Sequence, residues 1–355
     1  MTSPTLTPIM RRSARRAVRR VRNHGGSPNI RMVKELGERL SVAHGDPEYA
    51  GQDHLRELRE SYRVNDDLPL ADGRVPLIWW TDTPNFGDLL SPWLVGRIAR
   101  RPVVFAPRDS PSFVAVGSVA ARARRDSTVW GSGAFGSERR SMFTHSFQAS
   151  ADYRAVRGPL TRSRLHDVGI DCPPVYGDPA LLVPMHYWPE VEQTHEVGIV
   201  IRHSEHLWRD VAPDGPVKVI DFGSGDVEAV IRDMLGCRRI ISSSLHGLVI
   251  ADAYGIPNAW LGTDGRAGGS RPNGGEFKYH DYFASVSKLR RPHHVDLRGQ
   301  SWSPERLAER FEYDDRPIEF DHTALLDACP FLVRTADPDP RQLTPSGTDR
   351  LGALI

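Results

Sequence analysis

The stretch VPLIWWTDTPNFGDLLSPWLVGRIA, residues 75–99, sets the pattern that the rest of the chain repeats. Its apolar run from Pro76 to Trp80 has the length of a buried strand, and the segment from Gly87 to Ala99 has the composition of a helix. A turn that contains glycine separates the two. This order of strand, turn and helix is typical of a βα unit, and repeated units of this kind form a parallel sheet.

The same alternation continues on both sides of a looser segment, residues 187–195, which contains Pro189 and shows no clear period. Before this segment we predict strands at 103–105, 113–116, 128–131 and 153–156, and a helix at 160–168 with Pro159 in its first turn. After it we predict strands at 197–201, 217–222, 240–243 and 259–261, and helices at 227–235 and 245–254. We therefore expect an α/β protein with two sheet-and-helix halves of similar size.

These patterns divide the chain into four parts. Residues 1–74 are polar, charged and weakly periodic, with one short helix expected at 32–42, and we interpret them as a basic, weakly structured N-terminal appendage. The two α/β halves are residues 75–190 and 191–300. Residues 301–355 supply C-terminal helices and a tail.

The composition argues against several classes of protein. The 355 residues carry 46 Lys plus Arg against 45 Asp plus Glu, so we expect no nucleic acid partner. The three cysteines form no CxxC pair, which indicates neither a disulfide framework nor a metal site. No apolar run approaches the roughly 18 residues of a membrane span, and the N-terminus lacks the apolar centre of a secretory signal. We expect a cytoplasmic protein.

The N-terminus is locally basic, with seven arginines between Arg11 and Arg22 and no acidic residue before them. Two interpretations stay open. The segment either makes a peripheral contact with anionic lipid at the inner face of the membrane, or it is a solvated terminal arm.

Three short motifs fall where a predicted strand ends and a helix begins, which is where open α/β sheets bind ligands. The first is Asn85-Phe86-Gly87-Asp88, in which Gly87 permits a tight turn and Asp88 either caps the helix or acts on a ligand. The second is Val156-Arg157-Gly158-Pro159, followed by Tyr176-Gly177-Asp178-Pro179 at the next turn. Arg157 stands at a strand end, where a guanidinium can hold a phosphate or a carboxylate.

The third motif is Ser242-Ser243-Ser244-Leu245-His246-Gly247. His246 falls in the first turn of a helix, where it is either a structural residue or a neutral imidazole that acts as a base or hydrogen-bond partner. Gly247 leaves room for a close approach. The glycine-rich run at 262–275 contains Arg266 and Arg271 and is either a mobile loop near a site or an exposed connector.

Taken in this order, the motifs resemble those of the polysaccharide pyruvyl transferase family over about residues 77–286. The resemblance extends through Gly177-Asp178-Pro179-Ala180 and Ala251-Asp252-Ala253-Tyr254-Gly255-Ile256-Pro257. It implies two Rossmann-like domains that face one another across a central cleft, in a GT-B-like arrangement. It also implies phosphoenolpyruvate as the donor and, as product, a pyruvate ketal on a cell-surface polysaccharide or its lipid-linked precursor. No step of that reaction requires a metal or another cofactor.

The resemblance assigns roles to individual residues. Asp88 and His246, from opposite halves, are the expected acid and base, in either order. Many family members carry an arginine before Leu-His where this chain has Ser244, so the charge of the donor falls to Arg157 and Arg202. The other expected site residues are Asn85, Gly87, Ser244, Leu245 and Gly247 for the donor, Arg266 and Arg271 as reserves for donor or acceptor, and Asp178 to orient a sugar hydroxyl or cap its turn.

Two other functions stay open. A GT-B glycosyltransferase would keep the fold and use a nucleotide sugar, but no acidic residue stands at the strand end where the ribose would need one. A non-catalytic glycan-binding or scaffold protein is the other alternative, because Ser244 replaces the arginine. Binding of phosphoenolpyruvate, of a nucleotide, or of neither distinguishes the three.

Overall fold

The computed structural model describes residues 28–42, 50–138, 147–202, 204–205, 210–262 and 275–335. Within these ranges the helices are α1 (Pro28–Leu40), α2 (Asp53–Glu60), α3 (Phe86–Ala99), α4 (Pro159–His166), α5 (Val183–His186), α6 (Val227–Leu235), α7 (Leu245–Ala253), α8 (Phe277–Ser285), α9 (Pro304–Ala308) and α10 (His322–Asp327). The strands are β1 (Tyr62–Val64), β2 (Val75–Ile78), β3 (Val103–Phe105), β4 (Ser112–Val114), β5 (Ser127–Trp130), β6 (Asp152–Ala155), β7 (His195–Ile201), β8 (Ala212–Pro213), β9 (Val217–Asp221), β10 (Cys237–Ser242), β11 (Asn258–Trp260), β12 (Ser301–Trp302) and β13 (Leu332–Arg334).

Two parallel sheets form the framework. The first has the strand order β3-β2-β4-β5-β6, and the second has the order β11-β10-β7-β9. The expected α/β class with parallel sheets is confirmed. Predicted boundaries differ from the observed ones by up to four residues, as at α1, expected from residue 32 and beginning at Pro28. Strand β10 begins three residues early, at Cys237, because that residue pairs with His195 of β7.

Helix α3 lies in the core rather than on its surface. Of its residues only Asp88 and Arg97 are partly exposed, one near each end. A helix that is apolar on all sides must be covered on all sides. One hydrophobic cluster contains α3 together with Leu77 of the first sheet and Val200 of the second. The two sheets therefore share a continuous core.

The described part of residues 1–74 differs from the expected weakly structured appendage. Val33 of α1 and Leu55 of α2 are buried in the same cluster as α3. Strand β1 pairs antiparallel with β13, so that Tyr62 lies opposite Arg334. Periodicity could not indicate this pairing, because its two strands lie at opposite ends of the chain. The arginines between Arg11 and Arg22 lie outside the described residues.

In the ranges that the structure describes, no helix is both long enough and apolar enough to cross a membrane.

Candidate active site

A cavity of about 320 Å³ lies where strands of both sheets end. Its walls come from the segments that follow β2, β4 and β5 in the first sheet and β7 and β10 in the second. Helices α3 and α7 both begin at this cavity. The arrangement places the positive ends of two helix dipoles at one point, which favours an anionic ligand.

Six of the residues expected from the sequence line this cavity, and they come from both halves of the chain. They are Asn85, Asp88, Arg202, Ser244, Leu245 and His246. Gly87, Asp178 and Gly247 lie behind them, and Arg157 lies deeper still. Arg266 and Arg271 fall outside the described residues.

Asn85, and not Asp88, caps helix α3. The Asn85 side-chain oxygen accepts a hydrogen bond from the Gly87 N–H at 3.4 Å. The Asn85 amide nitrogen donates to Asp88 Oδ2 at 2.6 Å. Because Asn85 fills the capping position, the Asp88 carboxylate is oriented by the amide and lines the cavity instead of closing the helix.

The turn before α7 is built by Ser242. Its hydroxyl accepts from the Ser244 N–H at 3.0 Å and donates to the Ser244 carbonyl at 2.9 Å. The side chain of Ser244 itself makes no capping bond to α7. The first N–H groups of α7 are therefore not capped by Ser244, and the residues at this helix start, Ser244 to His246, line the cavity.

Gly247 has a packing role instead of the expected contact with the donor. A Cβ at this position would lie 2.2 Å from Ser242 Oγ. Only glycine lets α7 begin this close to the serine turn.

His246 is held between Gly87 and Asp178. A Cβ on Gly87 would lie 2.1 Å from His246 Nδ1, so the first turn of α3 and the imidazole are in direct contact. On the other side of the ring, Asp178 Oδ2 lies 3.5 Å from His246 Nε2. Both of these atoms are buried and lack a conventional hydrogen bond to any described residue. Asp178 also caps its own turn, because Oδ1 accepts from the Ala180 N–H at 3.0 Å.

Arg157 does not reach the cavity, which corrects the expectation that it holds the donor. Its side chain is fully buried and pairs with Asp281 at 3.0 Å. It also donates to the Ala134 carbonyl at 2.8 Å and to Ser118 Oγ at 2.7 Å. Since Ser118 lines the cavity, Arg157 acts on the site through the position of that hydroxyl.

Arg202 does line the cavity, and a carboxylate orients it. Its Nε donates to Glu205 Oε1 at 2.8 Å, and the other oxygen of Glu205 accepts from Ser243 Oγ at 2.9 Å. The Ser243 hydroxyl accepts in turn from the Arg202 N–H at 3.0 Å. This closed network fixes the guanidinium at the end of β7.

Lys278 of α8 is a cation of the site that the motifs did not identify. It is half-buried and lines the cavity. Burial and, to a smaller extent, the charges of Arg202 and Arg157 together lower the pKa of Lys278 from 10.5 to about 8, against the opposing effect of Asp88 and Glu205. One signal was present in the sequence, since only four of the 46 basic residues are lysines.

The described residues contain no group of three or more His, Cys, Asp and Glu side chains placed to hold a metal ion.

Comparison with known proteins identifies a family and two relatives. The family model described as polysaccharide pyruvyl transferase matches residues 85–265, a range that includes all three motifs. The chain is 26% identical over 213 residues to "Uncharacterized protein L143" of Acanthamoeba polyphaga mimivirus, which covers 56% of this chain and 70% of the relative. It is also 28% identical over 234 residues to "Succinoglycan biosynthesis protein ExoV" of Rhizobium meliloti (strain 1021), and this alignment covers 62% of this chain and 68% of the relative.

Proposed function

The chain belongs to the polysaccharide pyruvyl transferase family, and we propose that it transfers the pyruvyl group of phosphoenolpyruvate to a sugar. The acceptor is a polysaccharide or its lipid-linked precursor, the product is a pyruvate ketal, and phosphate is released. One observation carries this proposal. The N-termini of α3 and α7, Arg202 and Lys278 surround a single cavity that also holds an imidazole and a carboxylate.

The cations suit a donor that bears both a phosphate and a carboxylate. The free N–H groups at the start of α7 and the Arg202 guanidinium supply donors for one of these groups. The Lys278 ammonium supplies a compact positive charge for the other. Ser244 in place of an arginine is thereby accounted for, because Lys278 reaches the same cavity from α8.

His246 is suited to act as the base. Because the Asp178 carboxylate faces Nε2, we assign the proton of the neutral imidazole to Nε2. The basic nitrogen is then Nδ1, on the side of the ring that faces Gly87 in the first turn of α3, and Asp88 of the same turn lines the cavity with His246. Asp88 can accept a hydrogen bond from the attacking hydroxyl and direct it toward the donor.

Lys278 is suited to act as the acid. A pKa of about 8 keeps its ammonium protonated at pH 7 but leaves it more acidic than an ordinary lysine. In the first step His246 takes the proton of a sugar hydroxyl, and the oxygen of that hydroxyl bonds to C2 of the donor. At the same time C3 of the donor receives a proton from Lys278. The bond from C2 to the phosphate oxygen then breaks, and phosphate leaves with the electron pair. The oxygen of the second hydroxyl then bonds to C2 and closes the ketal, and its proton goes to the amine of Lys278, which the first step left neutral.

We also propose that the two sheets belong to two Rossmann-like domains in a GT-B-like arrangement, with the cavity in the cleft between them. In support, the cavity lies at the carboxyl ends of strands from both sheets, which is where ligands bind in doubly wound folds.

The test is turnover of phosphoenolpyruvate in heavy water with a panel of glycan acceptors. We expect release of phosphate and a product in which the ketal methyl group carries one deuterium, because C3 takes a proton from the protein. Phosphate release without deuterium in a glycan product would point to simple hydrolysis. Heat stabilisation by a nucleotide sugar, and none by phosphoenolpyruvate, would favour the glycosyltransferase instead.

A matched pair of histidine variants tests the base. His246→Asn is expected to lower kcat by about two to four orders of magnitude while the donor still binds. His280 of α8 is exposed and does not line the cavity, so His280→Asn should leave kcat unchanged. Equal effects of the two substitutions would contradict the assignment.

A further inference from the structure

A second and larger cavity, of about 910 Å³, lies at the other end of α3. Helix α3 has 14 residues, which span about 21 Å, so this cavity is separate from the candidate active site. Its walls come from α2, β1, the C-terminal end of α3 and α5. We call it the arginine groove, after its lining residues Arg56, Arg59, Arg63, Arg97, Arg100 and Arg101.

The positive charge of the arginine groove is only partly compensated. Glu60 and Asp66 are the acidic residues among the described residues that line it. Arg101 pairs with Asp66 at 3.4 Å. Arg97 pairs with Glu228, yet its side chain is only 10% exposed and its Nη1 has no hydrogen-bond partner among the described residues. A buried N–H without a partner is costly, and a ligand that accepts from it removes that cost.

Arg100 gives the strongest evidence that the arginine groove binds a ligand. It is exposed, and its side chain makes no hydrogen bond or ion pair with any part of the chain that the structure describes. Its backbone is left-handed, with φ 48° and ψ 36°, at the C-cap of α3. Helices usually place glycine in this conformation, because a Cβ disfavours it. An arginine held here despite that strain indicates a role for the side chain.

His186 records how the charges of the arginine groove converge. Burial and, to a smaller extent, the charges of Arg59, Arg97 and Arg100 together lower the pKa of His186 to about 3. Three guanidinium groups from two separate elements thus act on one point in the wall. The potential in the groove is positive, and the imidazole stays neutral across the physiological range.

We propose that the arginine groove binds a diphosphate group. Guanidinium forks match the oxygens of phosphate in paired hydrogen bonds. Several forks around a cavity of this size suit two linked phosphates better than a single one. The diphosphate is either part of a soluble molecule or the headgroup of a lipid, since both present the same oxygens.

The test measures binding of inorganic pyrophosphate to the full chain at low salt by calorimetry. The decisive variant is Arg100→Gly, because glycine suits the left-handed backbone and removes the side chain without harming the fold. We expect it to weaken pyrophosphate binding by about tenfold or more, the effect of losing one charge-assisted contact. Arg310→Ala removes an exposed arginine outside the groove and should leave binding unchanged.

A third variant separates the two cavities. Pyrophosphate held at the candidate active site would be lost with Lys278→Met and kept with Arg100→Gly, and that result would overturn the proposal. No binding of pyrophosphate or of vesicles by the parent, or equal binding by the parent and Arg100→Gly, would overturn it as well.

Vesicles identify the source of the phosphate. They are made from equal parts of phosphatidylcholine and diacylglycerol pyrophosphate, a lipid with a diphosphate headgroup, and association is measured by sedimentation. If Arg100→Gly lowers vesicle association, a lipid headgroup is the source. If Arg100→Gly changes only the binding of pyrophosphate, the source is a soluble diphosphate. Either result supports the groove as a phosphate site.

Discussion

Replacing Lys278 with methionine should stabilise the fold and remove donor binding at the same time. Its surroundings lower the pKa of Lys278 from 10.5 to about 8. The folded protein therefore holds the Lys278 proton less tightly than the unfolded chain does. The difference corresponds to about 3 kcal/mol against folding at pH 7. Methionine fills much the same volume without the charge, so we expect the free energy of unfolding to rise by up to about 3 kcal/mol.

The gain should depend on pH with a defined sign. Below about pH 8 the lysine is charged in both states, and the penalty on the folded state is complete. Between about pH 8 and 10.5 the folded protein has lost the proton and the unfolded chain has not, so the parent becomes more stable by about 1.4 kcal/mol per pH unit. The advantage of Lys278→Met should therefore be about half as large at pH 9.3 as at pH 7.

The assay is urea unfolding of parent and variant at both pH values, with and without phosphoenolpyruvate. A donor at a hundredfold excess over its Kd adds about 2.7 kcal/mol to the parent. Lys278→Met should lose most of that increment, because one cation of the site is gone. It should also lower kcat by at least about two orders of magnitude, because the acid is gone.

Lys218→Met is the matched control. Lys218 pairs with Asp233 at 2.6 Å on a partly exposed surface, so its loss should cost at most about 1 kcal/mol. It should leave donor stabilisation intact. The reasoning is refuted if Lys278→Met lowers the free energy of unfolding at pH 7, or if it keeps the full donor increment.

Three further substitutions test the positions around the imidazole. Gly87→Ala puts a methyl group 2.1 Å from the present position of His246 Nδ1, so the ring must move; kcat should fall by about two orders of magnitude, and an unchanged kcat would show that the ring has room. Asp178→Asn keeps an oxygen that can accept from the Ala180 N–H but places an amide against His246 Nε2. We expect kcat to fall by about two to four orders of magnitude and its pH profile to shift, while the donor still stabilises the protein. An unchanged pH profile would mean that Asp178 only caps its turn. Arg157→Lys cannot keep all the hydrogen bonds of the fully buried guanidinium, so the free energy of unfolding should fall by about 3 to 5 kcal/mol. Normal stability together with weakened donor binding would show that Arg157 does bind the donor.

The framework of the fold was predictable because its signals are local. Strand β3 and helix α6 have the predicted bounds, since β3 is an apolar run flanked by Pro102 and Pro107 and α6 is an amphipathic run between Asp226 and Gly236. The first motif also contains the residue that caps α3. The sequence could not decide whether that residue is Asp88 or Asn85, because both residue types favour N-caps.

The misplaced and missed residues depend on contacts that are distant in sequence. Arg157 stands at a strand end, as its motif indicated, but its partner Asp281 lies 124 residues away and holds the guanidinium in the core. Lys278 reaches the cavity only because α8 packs beside it. Neither contact leaves a periodic trace in the sequence, so the site at the strand ends and its Arg202 were predictable, whereas the burial of Arg157 and the presence of Lys278 were not.

Helix α3 connects the two cavities, and its dipole explains some of the arginines in the arginine groove without a ligand. A helix dipole attracts cations at its C-terminus, which gives Arg97, Arg100 and Arg101 a structural reason to be there. That attraction fades beyond the last turn and does not extend to Arg56, Arg59 and Arg63, which α2 and β1 supply. Nor does it require an arginine in the left-handed position, where glycine would satisfy the backbone better. The left-handed backbone at Arg100 thus remains without a structural account, and a bound diphosphate supplies one.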